Sequence, residues 1–146
     1  MGVTFDLIIA DDTEIEAMAA FATFPPADVI SSKILDPVTW SKLQAITMRS
    51  TFEETIVYYV TPVFEGEDGP WVYELPGEFV SRLAKLSDTE LGRIALDWHS
   101  WASSEGKQST WWDLNEVSVV NLLADIRDLA ARADLLKKKL FLRMAL

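Results

Sequence analysis

The sequence predicts an α+β fold in which a small, mostly antiparallel sheet is covered by about four to five helices. The sheet is built from an N-terminal strand, a central hairpin and a C-terminal strand. Three observations predict it: alternating apolar residues at both ends of the chain, two β-branched and aromatic segments around a glycine-containing turn, and apolar residues at helical spacing over most of the remainder. The expected order is β, α, α, β, β, α, α, α, β, packed around one interior as a single globular domain spanning residues 1–146.

Val3, Phe5, Leu7 and Ile9 recur with a period of two, so Val3 to Ala10 reads as the first strand. Thr13 and Glu16 have capping-box spacing and predict a short helix from Glu14 to about Phe21, stopped by Pro25 and Pro26. Asp36 before Pro37 predicts a helix start, because the carboxylate accepts free backbone N–H groups while proline has none to leave unpaired. That helix is expected to reach about Met48. Ile56 to Phe64 (IVYYVTPVF) and Trp71 to Leu75 (WVYEL) read as the two hairpin strands around the turn EGEDGP. Pro62 puts the first of them at a sheet edge or ends it early, since proline donates no ladder hydrogen bond.

From Pro76 the spacing turns helical. Phe79, Val80, Leu83 and Leu86 form one face, and Ser87 with Glu90 forms a capping box that starts the next helix. Its inward stripe is Leu91, Ile94, Ala95, Trp98 and either Trp101 or Ala102. SSEGKQST reads as a loop. Asn115 then caps the longest helix, from about Glu116 to Ala133, with Val119, Val120, Leu123, Ile126 and Ala130 inward and Asp125, Arg127, Asp128 and Arg132 largely outside. Leu140, Leu142, Met144 and Leu146 alternate with Phe141, Arg143 and Ala145, so Lys139 to Leu146 reads as a strand able to pair with the first.

The 146 residues are 49% hydrophobic and 25% charged, and they carry no cysteine, so a real core is expected without disulfides or thiolate chemistry. The opening MGVTFDLIIADD has neither the basic start of a signal peptide nor Ser or Thr where a myristoylation motif needs one, and no apolar run approaches the roughly 20 residues of a membrane helix. The expected setting is cytoplasmic, without membrane contact. A formal net charge of −10 argues against a nucleic-acid surface, whose phosphates require clustered cations. The charge is uneven. Arg127, Arg132, Lys137, Lys138, Lys139 and Arg143 face only Asp128 and Asp134 in the stretch 127–146, a local +4 that leaves −14 for the rest. Such a field steers a basic protein toward the acidic part, although solubility alone also explains it.

Chemical motifs are sparse. His99 is the only histidine, too few for the common zinc sites. Asp97 stands two positions away in a predicted helix and so points elsewhere; these two are the catalytic candidates, with Ser100, Ser103 or a distant serine available for a triad assembled through space. No G-x-S-x-G elbow and no glycine-rich phosphate loop occurs. Trp98, Trp101, Trp111 and Trp112 cluster in sequence; Trp101, Trp111 and Trp112 are the ligand-platform candidates, against the plainer account that they fill the core. Asp11, Asp12, Glu14 and Glu16 suit a helix N-terminus, and the lysines at 137–139 suit a helix C-terminus. Glu65, Glu67 and Asp68 lack the ligand spacing of a calcium loop. No metal or other cofactor is expected.

These features point to a small binding or regulatory domain, of inhibitor or immunity type, for a basic protein partner. A metal-independent hydrolase or lyase using carboxylates and His99 is the rival, and a structural homodimer subunit the third possibility; the chain is expected to be a monomer or a homodimer.

Overall fold

The computed structural model describes residues 3–20, 24–104 and 114–146. Among them, one antiparallel sheet of five strands packs with six α-helices, the α+β arrangement the sequence predicts. In chain order the elements are β1 (Thr4–Ala10), α1 (Ile15–Ala19), β2 (Val29–Ser32), α2 (Pro37–Met48), α3 (Phe52–Ile56), β3 (Phe64–Glu65), β4 (Trp71–Glu74), α4 (Gly77–Ala84), α5 (Asp88–Ser104), α6 (Glu116–Leu136) and β5 (Lys139–Ala145). Single 3₁₀ turns precede α1 and β2, and another follows α3.

The strand order is β2-β1-β5-β4-β3, so the two terminal strands form the middle of the sheet and pair along their whole length, from Thr4 opposite Ala145 to Ala10 opposite Lys139. Odd-numbered Phe5, Leu7 and Ile9 of β1, with Leu140 and Leu142 of β5 and Tyr73 of β4, face the large helical layer of α2, α4, α5 and α6. Trp40, Leu43, Phe79, Leu83, Ile94, Trp98, Leu123 and Ile126 fill that layer.

Apolar residues also occupy the opposite face. Ile8, Ala10, Val72 and Phe141 pack with Met18 of α1 and with partly buried Ile15, Phe24, Val29 and Phe64. The single interior expected from the sequence is therefore two cores, one on each side of the sheet. The cause is that β1 and β5 carry apolar side chains on both faces, as central strands covered on two sides do. Polar side chains on the smaller-core face form a cross-strand row at the matched register Ser31–Asp6–Arg143. The Ser31 hydroxyl donates to Asp6 Oδ1 at 2.6 Å, and buried Arg143 donates to Asp6 Oδ2 at 3.2 Å and, from Nε, to the Met18 carbonyl at 2.9 Å. The guanidinium thus ties α1 onto the sheet.

Helix starts follow their capping chemistry. Asp36 Oδ1 accepts from Thr39 N at 2.9 Å, and Asn115 Oδ1 accepts from Ser118 N at 2.9 Å. Ser87 and Glu90 form the expected box: Glu90 N donates to Ser87 Oγ, and the Ser87 hydroxyl to Glu90 Oε1. The first helix differs. Its turn begins at Asp12, and the reciprocal pair is Asp11 with Glu14, whose Oε1 accepts from Asp11 N at 2.9 Å, in place of Thr13 with Glu16. Its expected end at Phe21 lies outside the described residues.

Two elements depart from expectation. Val29–Ser32 forms a strand the sequence does not announce, too short for alternation to show. Ile56–Phe64 is not a strand: α3 runs through Ile56 and a 3₁₀ turn through Tyr59, leaving only Phe64–Glu65 in β3. Thr51 caps this helix by accepting from Glu54 N at 3.2 Å, and the inward residues Thr55 and Tyr59 stand four apart, a helical spacing hidden within a β-branched run. β3 is an edge strand, consistent with Pro62 just before it. In the following turn Gly69 adopts φ +85, and a Cβ on Gly66 would lie 2.3 Å from the Gly69 carbonyl oxygen. Glycine is required at both places.

Candidate functional site

The sequence candidates lie on and after α5. His99 is half-buried, its Nε2 3.1 Å from the Leu114 carbonyl oxygen. Asp97 is exposed and reaches back one turn to Arg93, at 3.7 Å. The helix therefore directs the two side chains to different partners, as their spacing predicts. Trp101 is half-buried against the large core, while Trp98 is fully buried and donates to the Thr39 carbonyl at 3.1 Å, joining α5 to α2. Trp111 and Trp112 lie outside the described residues. Among the described residues, no group of three or more histidine, cysteine or carboxylate side chains is placed to hold a metal ion, and no helix is long and apolar enough to cross a membrane.

The acidic cluster after β1 and the basic cluster before β5 meet at one end of the sheet. Pairing of β1 with β5 brings Lys138 within 3.6 Å of Glu14 and 3.9 Å of Asp11, and Lys139 within 3.0 Å of Asp12 and 3.1 Å of Glu74. Hydrogen bonds to Asp12 and Glu74 raise the Lys139 pKa. The shallow cleft beside these lysines, lined also by Leu75, Val80 and Leu140, is thus flanked by charges already paired with each other. A second cleft, between β2 and α6, is bordered by the Arg132–Asp28 pair at 2.6 Å.

A third cleft is different. It lies between α2, α3 and the start of α4, with a volume of about 220 Å³, and is lined by Gln44, Met48, Glu54, Tyr58, Glu78 and Phe79 among others. Two carboxylates border it, and among the described residues neither Glu54 nor Glu78 forms an ion pair. Gln44 is only 4% exposed; its Oε1 accepts from the Tyr59 hydroxyl at 2.6 Å, while among the described residues its amide nitrogen makes no hydrogen bond. Burial raises the Tyr59 pKa well above the ordinary tyrosine value, the Trp40 indole acting in the opposite sense, so the phenol is a fixed neutral donor to Gln44.

The cleft opens beside an exposed apolar surface. Val57, Tyr58, Val60 and Val63 are each 47–64% exposed on the segment that joins α3 to the edge strand β3. Tyr59, pointing the other way, holds that segment to the sheet through its ring contact with Tyr73, at 6.3 Å between centroids. No family model, curated protein or solved structure matches this chain. The site therefore stands on its own geometry.

Sequence reasoning missed this surface because it took 56–64 as a strand, which places alternate residues inside. One signal was available. Between Arg49 and Arg82 the chain has no lysine or arginine but carries Glu53, Glu54, Glu65, Glu67, Asp68, Glu74 and Glu78. Among the described residues, only Glu74 of these seven meets a cation.

Proposed function

We propose that this protein is a binding domain for a basic protein partner, docked on the surface formed by α3, the segment 57–63, β3 and the hairpin turn. One observation carries the reading: an exposed apolar strip, Val57, Tyr58, Val60 and Val63, bracketed by Glu53, Glu54, Glu65, Glu67 and Asp68, which among the described residues meet no cation. Exposed apolar residues grouped on a monomer surface and rimmed by one sign of charge are the pattern of a protein interface, in which the apolar centre supplies affinity and the rim steers the encounter. Seven carboxylates without a lysine or arginine across 50–81 set the partner's sign. A second copy of this chain fits poorly. A two-fold interface sets a patch against itself, bringing carboxylate against carboxylate.

The test is an NMR titration of the whole protein with a synthetic peptide alternating arginine and valine, at low and high salt. Amide shifts confined to residues 50–81, weakening as salt rises, support the proposal. Shifts spread over the surface or centred on α5 overturn it. So does concentration-dependent dimerisation in light scattering that is abolished by Val60→Glu, which assigns the strip to self-association.

A further inference from the structure

We infer that the cleft between α2, α3 and α4 is the anchor pocket of this interface and receives an arginine side chain of the partner. The inference rests on the basic-partner reading and specifies what that surface recognises. Three features of the pocket match the three parts of an arginine residue. Met48, Pro76 and Phe79 offer an apolar wall to the three-carbon stem, which long cationic side chains bury readily. Tyr58, about half exposed at the rim, presents an aromatic ring on which a guanidinium stacks. Glu54 and Glu78, on different helices, offer carboxylates to a planar donor group that forms hydrogen bonds along more than one edge.

Gln44 supplies a fourth contact, independent of the carboxylates. It is nine-tenths buried, lines the cleft, and is held at one end by Tyr59, yet among the described residues the other end of its amide has no partner. The amide nitrogen is not among the buried unpartnered atoms, so it is reachable from the cleft, and a donor open there suits a carbonyl oxygen of an incoming backbone. Arginine is preferred to lysine because its planar guanidinium lies flat on an aromatic ring and meets carboxylates along fixed edges, whereas an ammonium is a compact, more strongly hydrated charge. The pocket also has a direction. Glu78 borders a neighbouring depression that contains Arg82 and Lys85, so the more negative mouth lies on the Glu54 and Tyr58 side, toward the exposed strip.

The same titration decides the point when the Gln44 side-chain amide is followed. Gln44 and Gln108 are the chain's two glutamines, and a Gln44→Glu variant assigns the resonance. With the arginine–valine peptide, the Gln44 amide is expected to shift together with residues 50–81. Replacing arginine by citrulline, which keeps shape but not charge, should weaken binding about tenfold, and Glu54→Gln should weaken it roughly three- to tenfold, more than Glu67→Gln in the hairpin turn. If the peptide perturbs 50–81 while the Gln44 amide stays still and Glu54→Gln binds as wild type, the pocket assignment falls and the docking surface stands. If 50–81 does not respond at all, both fall. A lysine–valine peptide that binds as tightly as the arginine one overturns the assignment to arginine.

Discussion

At the scale of single residues, the pair Tyr59 and Gln44 does two jobs. It fastens the 57–63 segment to α2, and it sets the open amide in the cleft. Tyr59→Phe leaves Gln44 Oε1 buried without its donor, which should lower stability by about 1–3 kcal/mol in urea unfolding at neutral pH. The variant should also change the alkaline behaviour. Because burial raises the Tyr59 pKa in the folded state, the phenol's contribution is complete below the unfolded value of about 10 and is lost as pH rises from there toward the raised folded value. Tyr73 and Lys139, also raised, act with the same sign and remain in the variant. The loss of stability above pH about 10 should therefore be shallower in Tyr59→Phe than in wild type; equal slopes would show that this phenol is not the group responsible. Individual residues were legible in the sequence where burial and spacing agreed, as for Trp98 in its stripe. Tyr59 was not, because its inward direction depends on a helical turn in a segment whose composition favours a strand. For His99 and Asp97, sequence spacing alone gave separate directions, and the helix keeps them so.

At the scale of elements, caps decided what composition left open. Asp36 before Pro37 fixed α2 to the residue, and Ser87 with Glu90 fixed α5, since each satisfies backbone donors that a helix start leaves open. The same chemistry, Thr51 with Glu54, overrides the β-branched run after it and makes 52–59 helical. The cap outweighs the run of Ile, Val and Tyr, and the exposed strip follows from it, since a helical turn with Thr55 and Tyr59 inside leaves Val57, Tyr58 and Val60 outside. Two elements escaped for want of length: β2 has four residues and β3 two, below what a period of two reveals. Capping makes a direct prediction for α2. Asp36 accepts from both Thr39 N and the Thr39 hydroxyl, at 2.9 and 2.8 Å, so Asp36→Ala should lower stability by about 0.5–2 kcal/mol in urea unfolding, with unchanged slope. Asp36→Asn, which keeps one acceptor, should recover most of it. An alanine variant as stable as wild type would mean that the N-terminal donors of α2 are satisfied without the side chain.

At the scale of the whole molecule, the sheet is a partition between two unequal cores, and β5 is its centre. The strand lies between β1 and β4 and sends Leu140 and Leu142 into the helical layer and Phe141 into the smaller cluster beneath α1. Sequence alternation alone suggested one covered face, because a strand read by period has an inside and an outside; the clue to two was that the positions between Leu140 and Met144 are not uniformly polar. If the smaller cluster is a true core, its central aromatic must cost what core aromatics cost. Phe141 is fully buried against Ile8, Val72 and Met18, so Phe141→Ala should lower stability by about 3–5 kcal/mol, a large share of the 5–15 kcal/mol typical of a domain. Leu142→Ala, facing the larger layer, should cost about 2–5 kcal/mol. Both are measured by urea unfolding with tryptophan fluorescence. A one-faced sheet requires Phe141→Ala to be nearly neutral while Leu142→Ala is severe. Comparable losses follow only if α1 and the row Ser31, Asp6 and Arg143 keep water from the second face.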